Sequence, residues 1–215
     1  MSETDLSTTR LCLVTPEGAD PKAFGPVLAA ALSAGDVASL IITAEDSEHL
    51  RALAAALVPI AQAEGVAALI HNDVEIAKDV RADGVHLETG KAGLTAARSR
   101  LGRDAIVGAA NLRSRHEAMS AGEADADYVF FGRLDGDTDA AIFPKALDLA
   151  AWWADLFEIP AIVMGGLSLS SVREASNAGI EFVALRRAVW EHESGPAAAV
   201  EEAVRLLSVP QDVLP

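Results

Sequence analysis

Short apolar runs alternate with stretches of helical periodicity along most of the chain. The runs are Leu11-Cys12-Leu13-Val14, Val37 to Ile42, Val66 to Ile70 and Gly84-Val85-His86-Leu87, then Ala105 to Ala109, Tyr128 to Phe131, Ala161 to Met164 and Phe182 to Leu185. Each is apolar nearly throughout, as strands of a parallel sheet are when covered on both faces. Between them, Leu50/Leu53/Leu57, Leu147/Ala150/Trp153/Leu156 and Val200/Val204/Leu207 mark the clearest helices.

The runs begin mostly some 20–30 residues apart, which leaves room for one short helix per interval. Eight strands with eight helices predict an α/β fold, a closed (βα)₈ TIM barrel, as a single domain over residues 1–215. Residues 1–9 and 209–215 are expected to be loose ends. An open doubly wound sheet is the alternative, but Thr15-Pro16-Glu17-Gly18-Ala19-Asp20 after the first run lacks the glycine pattern of a dinucleotide site.

Composition narrows the class. Apolar residues make up 51% and aromatics only 5% of the 215 positions, which implies a core of Ala, Val, Leu and Ile. The formal net charge of −15, from 32 acidic and 17 basic residues, argues against nucleic acid or an anionic membrane as partner. No apolar stretch reaches the ~18 residues of a membrane span, and Met1 to Thr9 lacks an apolar signal core. Cys12 is the single cysteine, so no internal disulfide can form; a cytoplasmic protein with Cys12 in the core is expected.

Candidate chemistry begins at Ile159 to Leu167, where a strand ends in Gly165-Gly166 and Ser168 to Ser170 open a helix. Paired glycines there either make a tight turn or let backbone N–H groups approach a phosphate, which TIM barrels bind after strands 7 and 8. Arg186 and Arg187 follow strand 8; alternation along a strand allows at most one of them to face a pocket, and pairing with Glu181 or Glu191 is the other reading. His71, Asn72, Asn111 and Arg133 fall at or near strand carboxyl ends, where a barrel presents its site. His86 is expected in the packed interior with its ring nitrogens bonded. Asp135, Asp137 and Asp139 alternate like the start of a calcium loop, but Ala140 and Ala146 exclude an EF-hand, leaving a solvated acidic loop or a metal site. Of Trp152-Trp153, one leans away from the barrel, as helix-edge packing or as a homo-oligomer contact.

Several motifs in order carry a family resemblance. Leu11 to Thr15, Ala82-Asp83-Gly84-Val85-His86-Leu87, Ala126-Asp127-Tyr128-Val129-Phe130-Phe131-Gly132 and Ile159 to Gly166 resemble the first, fourth, sixth and seventh strands of the thiamine-phosphate synthases and their sister group, the thiazole tautomerases. Ala178-Gly179 leads into strand 8 in the same manner. The resemblance implies coupling of a pyrimidine pyrophosphate to a thiazole phosphate, with magnesium and departing pyrophosphate. It also assigns the thiazole phosphate to Gly165-Gly166.

Set against that family, much of the pyrophosphate equipment is replaced. Aligning Gly35-Asp36-Val37 puts Leu40, Ile42 and Ala44 where the family has Gln, Arg and Lys. After strand 3, Asp73 stands one position late for a metal carboxylate. Lys91 stands at the second metal ligand, where it could replace the ion's charge or be an exposed loop lysine. Ala110 replaces a serine, and Asp135 begins an acidic stretch where donors are expected. Arg133 occupies the position of the tautomerases' histidine and is a poor base. The candidates are therefore His71, Arg133 and Lys91 for chemistry, Gly165, Gly166, Arg186 and Arg187 for phosphate, Asn72 and Asn111 as further pocket residues, and Asp73 and Asp135 as weak metal ligands. A divergent synthase using magnesium, a non-catalytic binder of a thiazole phosphate or thiamine phosphate, and a different enzyme for a phosphorylated small molecule all remain open.

Overall fold

The computed structural model describes residues 9–208. Its strands are β1 (Arg10–Val14), β2 (Val37–Ile42), β3 (Ala67–His71), β4 (Gly84–Leu87), β5 (Ile106–Ala109), β6 (Tyr128–Phe131), β7 (Ala161–Met164) and β8 (Phe182–Leu185). The helices are α1 (Phe24–Leu32), α2 (Ser47–Ala63), α3 (Val74–Val80), α4 (Gly90–Leu101), α5 (Arg115–Gly122), α6 (Pro144–Leu156), α7 (Ser171–Asn177), the single turn α8 (Arg187–Trp190) and α9 (Pro196–Ser208). Each strand pairs in parallel with the next, and β1 pairs with β8. The sheet is thus the expected closed (βα)₈ barrel, with one extra turn after β8.

Alternation along each strand splits the core into two shells. Leu11, Leu13, Leu40, Ile42, Ala68, Ile70, Val129, Phe131, Val183 and Leu185 face outward and join the helices in the larger cluster. Cys12, Val14, Ile41, Leu69, Tyr128, Phe130, Ile162, Met164 and Ala184 fill the barrel's interior. Gly108 leaves room for the Tyr128 ring: a Cβ there would stand 1.9 Å from the ring's Cζ. Cys12 is buried among these residues, and desolvation pushes its thiol up to about 12.

The acidic residue just before several strands has a structural task. Asp83 accepts from the Ala68 N–H at 2.8 Å, Asp127 from Val107 at 2.6 Å and Glu181 from Ala161 at 2.9 Å. Each carboxylate therefore pairs a strand with the start of the previous one, at the amino-terminal face of the barrel. Physically, the Ala-Asp of the fourth and sixth strand motifs is a barrel staple. It satisfies backbone donors that closure would otherwise leave unpaired.

Two expectations about the periphery change. Thr9 is no loose end: it is 4% exposed, and its hydroxyl donates to the Ile180 carbonyl at 2.8 Å. The rest of the two terminal stretches lies outside the described residues. Trp153 is buried, stacks on Phe157 and donates from Nε1 to the Ile159 carbonyl at 2.6 Å, so Trp152 is the one that leans out, under the Arg115 guanidinium. Leu156, expected on the buried stripe of α6, is 60% exposed.

Candidate functional site

The carboxyl ends of the strands surround a cavity of about 360 Å³. Its floor is Leu134, which belongs to the interior cluster. Thr43, His71 and Glu88 contribute the walls after β2, β3 and β4; Asn111 and Arg113 follow β5; Arg133 and Asp135 follow β6; Arg186 follows β8. His71, Asn111, Arg133, Asp135 and Arg186 are thus brought together as the sequence suggests. Asn72 and Asn111 both adopt left-handed backbone, with φ of 54° and 59°, a conformation asparagine tolerates better than most residues. That turns the chain over the rim directly after each strand.

Hydrogen bonding fixes the protonation of His71. The Asn72 side-chain carbonyl accepts from the Glu88 N–H at 2.8 Å, which orients its amide nitrogen toward His71 Nε2 at 3.0 Å. Nε2 must then be the acceptor, so the proton sits on Nδ1 and is donated to Thr43 Oγ1 at 3.0 Å. Burial lowers the His71 pKa, and Glu88, whose Oε1 lies 3.7 Å from Nε2, raises it part of the way back. A neutral imidazole with both ring nitrogens engaged results at the cavity wall.

Below it, His86 is fully buried, with its ring 5.9 Å from that of His71 and edge-on to Phe130. Only one of its nitrogens is bonded, not both as expected: Nδ1 meets the Tyr128 hydroxyl at 2.7 Å, and Nε2 has no partner among the described residues. Desolvation, with His71 nearby, lowers its pKa to about 3.

The remaining candidates are placed elsewhere. Lys91 does not reach the cavity: as the second residue of α4 it is exposed and pairs with Glu123 at 3.1 Å. Asp73 caps α3, accepting from the Ile76 N–H at 2.8 Å, so its carboxylate is spent on the helix start. Asp135 holds Arg133 with both oxygens, at 2.8 and 2.6 Å. Arg187 turns outward to Glu191 at 2.9 Å, which settles Arg186 as the residue facing the pocket.

Gly165 and Gly166 do not line the cavity. Both are buried, and the β6–α6 loop lies on them: Leu167 N–H donates to the Asp139 carbonyl at 2.8 Å and Ser168 N–H to that of Ala140 at 3.1 Å. A Cβ on Gly166 would stand 2.2 Å from the Ala140 oxygen. Asp137 of that loop is not solvated but 0% exposed, bound to Arg186 Nη2 and the Arg187 N–H, each at 2.8 Å.

The β2 frame also needs correction. Leu40 and Ile42 point outward to the helices and Ala44 packs against the same shell, whereas Ile41 faces the interior and Thr43 the cavity. Thr43, Glu88 and Arg113 were not among the candidates. Counting by twos from Ile41 finds Thr43; nothing local marks Arg113.

An eight-stranded barrel with a cation-bearing pocket at the carboxyl ends of its strands defines the class: a TIM-barrel protein with its site at the face such barrels use. The family described as thiamine monophosphate synthase (TMP-TENI) matches residues 11–189. A thiamine-phosphate synthase of Hyphomonas neptunium is 40% identical over 200 residues, covering 89% of this chain and 90% of that protein. One of Rhodospirillum centenum is 37% identical over 213 residues, covering 94% and 99%. The solved thiamine phosphate pyrophosphorylase of Pyrococcus furiosus shares the fold with a TM-score of 0.74 at 22% identity, covering 94% of this chain and 96% of that one. The chain belongs to the thiamine-phosphate synthase family.

Proposed function

We propose that the rim pocket binds a phosphorylated small molecule of the thiazole phosphate or thiamine phosphate kind, and that the magnesium-dependent condensation is lost or strongly slowed. The observation that carries this reading is the donor set of the cavity: Arg113, Arg133 and Arg186 with His71 and Asn111, and only Glu88 and Asp135 as carboxylates. Guanidinium groups make short, charge-assisted hydrogen bonds to phosphate oxygens. The Arg133–Asp135 pair is exposed, and such pairs contribute little, so an incoming anion can compete for Arg133.

Magnesium fits this donor set poorly. It favours oxygen ligands from carboxylates and water in octahedral geometry. Asp73 is engaged in capping α3, Asp135 in holding Arg133, and a lysine stands at the second family position. Among the described residues, no three His, Cys, Asp or Glu side chains gather in a way that could hold a metal. If a departing pyrophosphate is to be stabilised at all, the arginines must do it, and removal of one such charge-stabilising donor typically costs about 10²–10³ in rate.

His71 makes its own contribution. With Nδ1 donating to Thr43 and Nε2 accepting from the Asn72 amide, both of its ring nitrogens are engaged, so it braces the β2 and β3 exits at the cavity wall. The buried Cys12 accords with a reducing, cytoplasmic setting. No helix among the described residues is long and apolar enough to cross a membrane.

Two measurements test the reading. Calorimetric titration with a thiazole phosphate should give saturable binding. Supplying both phosphorylated precursors and magnesium should yield thiamine monophosphate at least about 10³-fold more slowly than the Hyphomonas relative assayed alongside. Turnover matching that relative would overturn the loss of chemistry, and absent binding would overturn the site.

A further inference from the structure

The corner between the β7 and β8 exits is filled by the chain itself. Asp137 sits there with no exposed surface, and each of its carboxylate oxygens takes one donor: Arg186 Nη2 and the Arg187 backbone N–H, both at 2.8 Å. Two residues further on, the Asp139 and Ala140 carbonyls take the Leu167 and Ser168 N–H groups. With the Asp137 carbonyl, which takes Arg187 Nη1 at 3.5 Å, one short loop segment covers the donors of two neighbouring strand exits with five oxygens.

Donors remain at this corner after Asp137 has been served. Arg186 Nε and Ser171 Oγ are both buried without a hydrogen-bond partner among the described residues. Ser171 is 0% exposed, and its hydroxyl oxygen lies 3.1 Å from where a Cβ on Gly165 would stand. A carboxylate offers two oxygens, whereas a phosphate monoester offers three in a tetrahedral array. The corner thus holds more buried donors than its present occupant engages, and unmet buried donors are costly.

We propose that Asp137 is an internal occupant of an anion site, and that a phosphate monoester gains this site only by displacing the Asp137 carboxylate together with its loop. The proposal rests on the anion-binding reading of the rim given above and adds its regulation. Arg186 is the shared element: it lines the open cavity and holds Asp137 behind it. A phosphate arriving from the cavity meets that guanidinium first. Because the competing carboxylate is tethered, the apparent affinity of any anion is reduced by the small fraction of molecules in which the loop is away. A metabolite's phosphate would then be admitted only when the rest of the molecule also finds contacts in the pocket.

Inorganic phosphate is the probe, with chloride at equal ionic strength as control and the thermal unfolding midpoint as readout. In Asp137→Ala, half-saturation should fall at least about tenfold below wild type, since the competing carboxylate is gone. In Asp137→Ala combined with Arg186→Met the response should vanish. Asp137→Asn keeps the shape of the loop, removes the charge and carries the same expectation if the alanine variant folds poorly. Wild type and either folded variant responding over the same phosphate range would overturn the proposal, as would a folded Asp137→Ala protein that ignores phosphate.

A second readout needs no change at Asp137. Thr138 is exposed and Cys12 is buried, so Thr138→Cys offers one accessible thiol among the described residues for a fluorophore. Phosphate should shift its emission saturably, and a flat response counts against loop displacement. Wild-type binding of a thiazole phosphate with unchanged affinity in Asp137→Ala would sink this inference and leave the pocket reading intact. Phosphate binding gained in Asp137→Ala, with no ligand ever bound by wild type, would do the reverse.

Discussion

The two sides of the barrel rim are built from the same residue types and end in opposite states. On the β3–β6 side, Arg133 and Asp135 form an ion pair with side chains 74% and 55% exposed, beside an open cavity. On the β7–β8 side, Arg186 and Asp137 form one with side chains 11% and 0% exposed: Arg186 borders the cavity, and Asp137 behind it is out of solvent. Solvent decides what each pair does. An exposed pair is screened and easily exchanged for another anion, whereas a buried one can be broken only by leaving a charge unpaired.

The largest expected effect follows from that contrast. Asp137→Ala leaves the Arg186 guanidinium buried without its partner, and such a break costs about 3–5 kcal/mol of stability. Arg133→Ala should leave the urea midpoint where it is. Equal midpoints for the two variants, in buffer free of phosphate, would mean that burial does not separate these pairs.

A second prediction concerns how tightly the closed side is packed. Gly166→Ala places a Cβ 2.2 Å from the Ala140 oxygen and 2.6 Å from that of Ala141, both backbone atoms that can yield only if the loop moves. Overpacking of this kind costs about 1–3 kcal/mol. Amide exchange at Leu167 and Ser168, which donate into that loop, should accelerate alongside. Gly136→Ala, on the open side of the same loop, meets its nearest atom at 3.0 Å and should cost less. A ranking in the opposite order would place the rigid part of the loop elsewhere.

The two histidines extend the comparison from rim to interior. An unfolded histidine titrates near 6.5, and burial holds His86 at about 3. Between those values the unfolded chain takes up a proton that the folded chain refuses. Stability therefore falls as pH drops from about 6.5 toward about 3, by about 1.4 kcal/mol per unit from this residue. Urea unfolding at pH 7, 6 and 5 should show a steeper loss for wild type than for His86→Phe. Parallel slopes would sink the argument, whatever the absolute stability of the variant.

Much of the barrel is legible in the sequence because parallel strands, covered on both faces, stand out as dense apolar runs. That same density hides which face is which. Val37 to Ile42 has no polar residue but Ser39, so nothing in β2 marks the inward positions, and an alignment on Leu40 and Ile42 falls a residue out of step with Ile41 and Thr43. The site was legible where a side chain follows its strand directly, as with His71, Arg133 and Arg186. It was not legible where the deciding contact is distant: Asp137 reads as solvent-loving, and its partner Arg186 lies 49 positions away. Lys91 failed for a local reason, since the first turn of α4 carries it outward to Glu123.

The smallest effect is also the one that most directly probes the open side. Arg113 is exposed, and among the described residues its guanidinium is bonded only to the Asn111 side-chain carbonyl, at 3.0 Å, while Arg133 is held by Asp135. If the open pocket recruits its ligand through these cations, Arg113→Ala should weaken binding of a thiazole phosphate by roughly two- to fivefold, the range of a solvent-exposed charge pair. Arg133→Ala should weaken it at least as much, because it removes a guanidinium and leaves the Asp135 carboxylate as an unpaired negative charge beside the anion. Raising the ionic strength should shrink both differences, since exposed charges are screened while the Arg186–Asp137 contact is shielded from salt. Salt-insensitive losses at Arg113 would place that guanidinium in a desolvated contact with the ligand, and the division between an open, screened side and a closed, dry one would no longer hold.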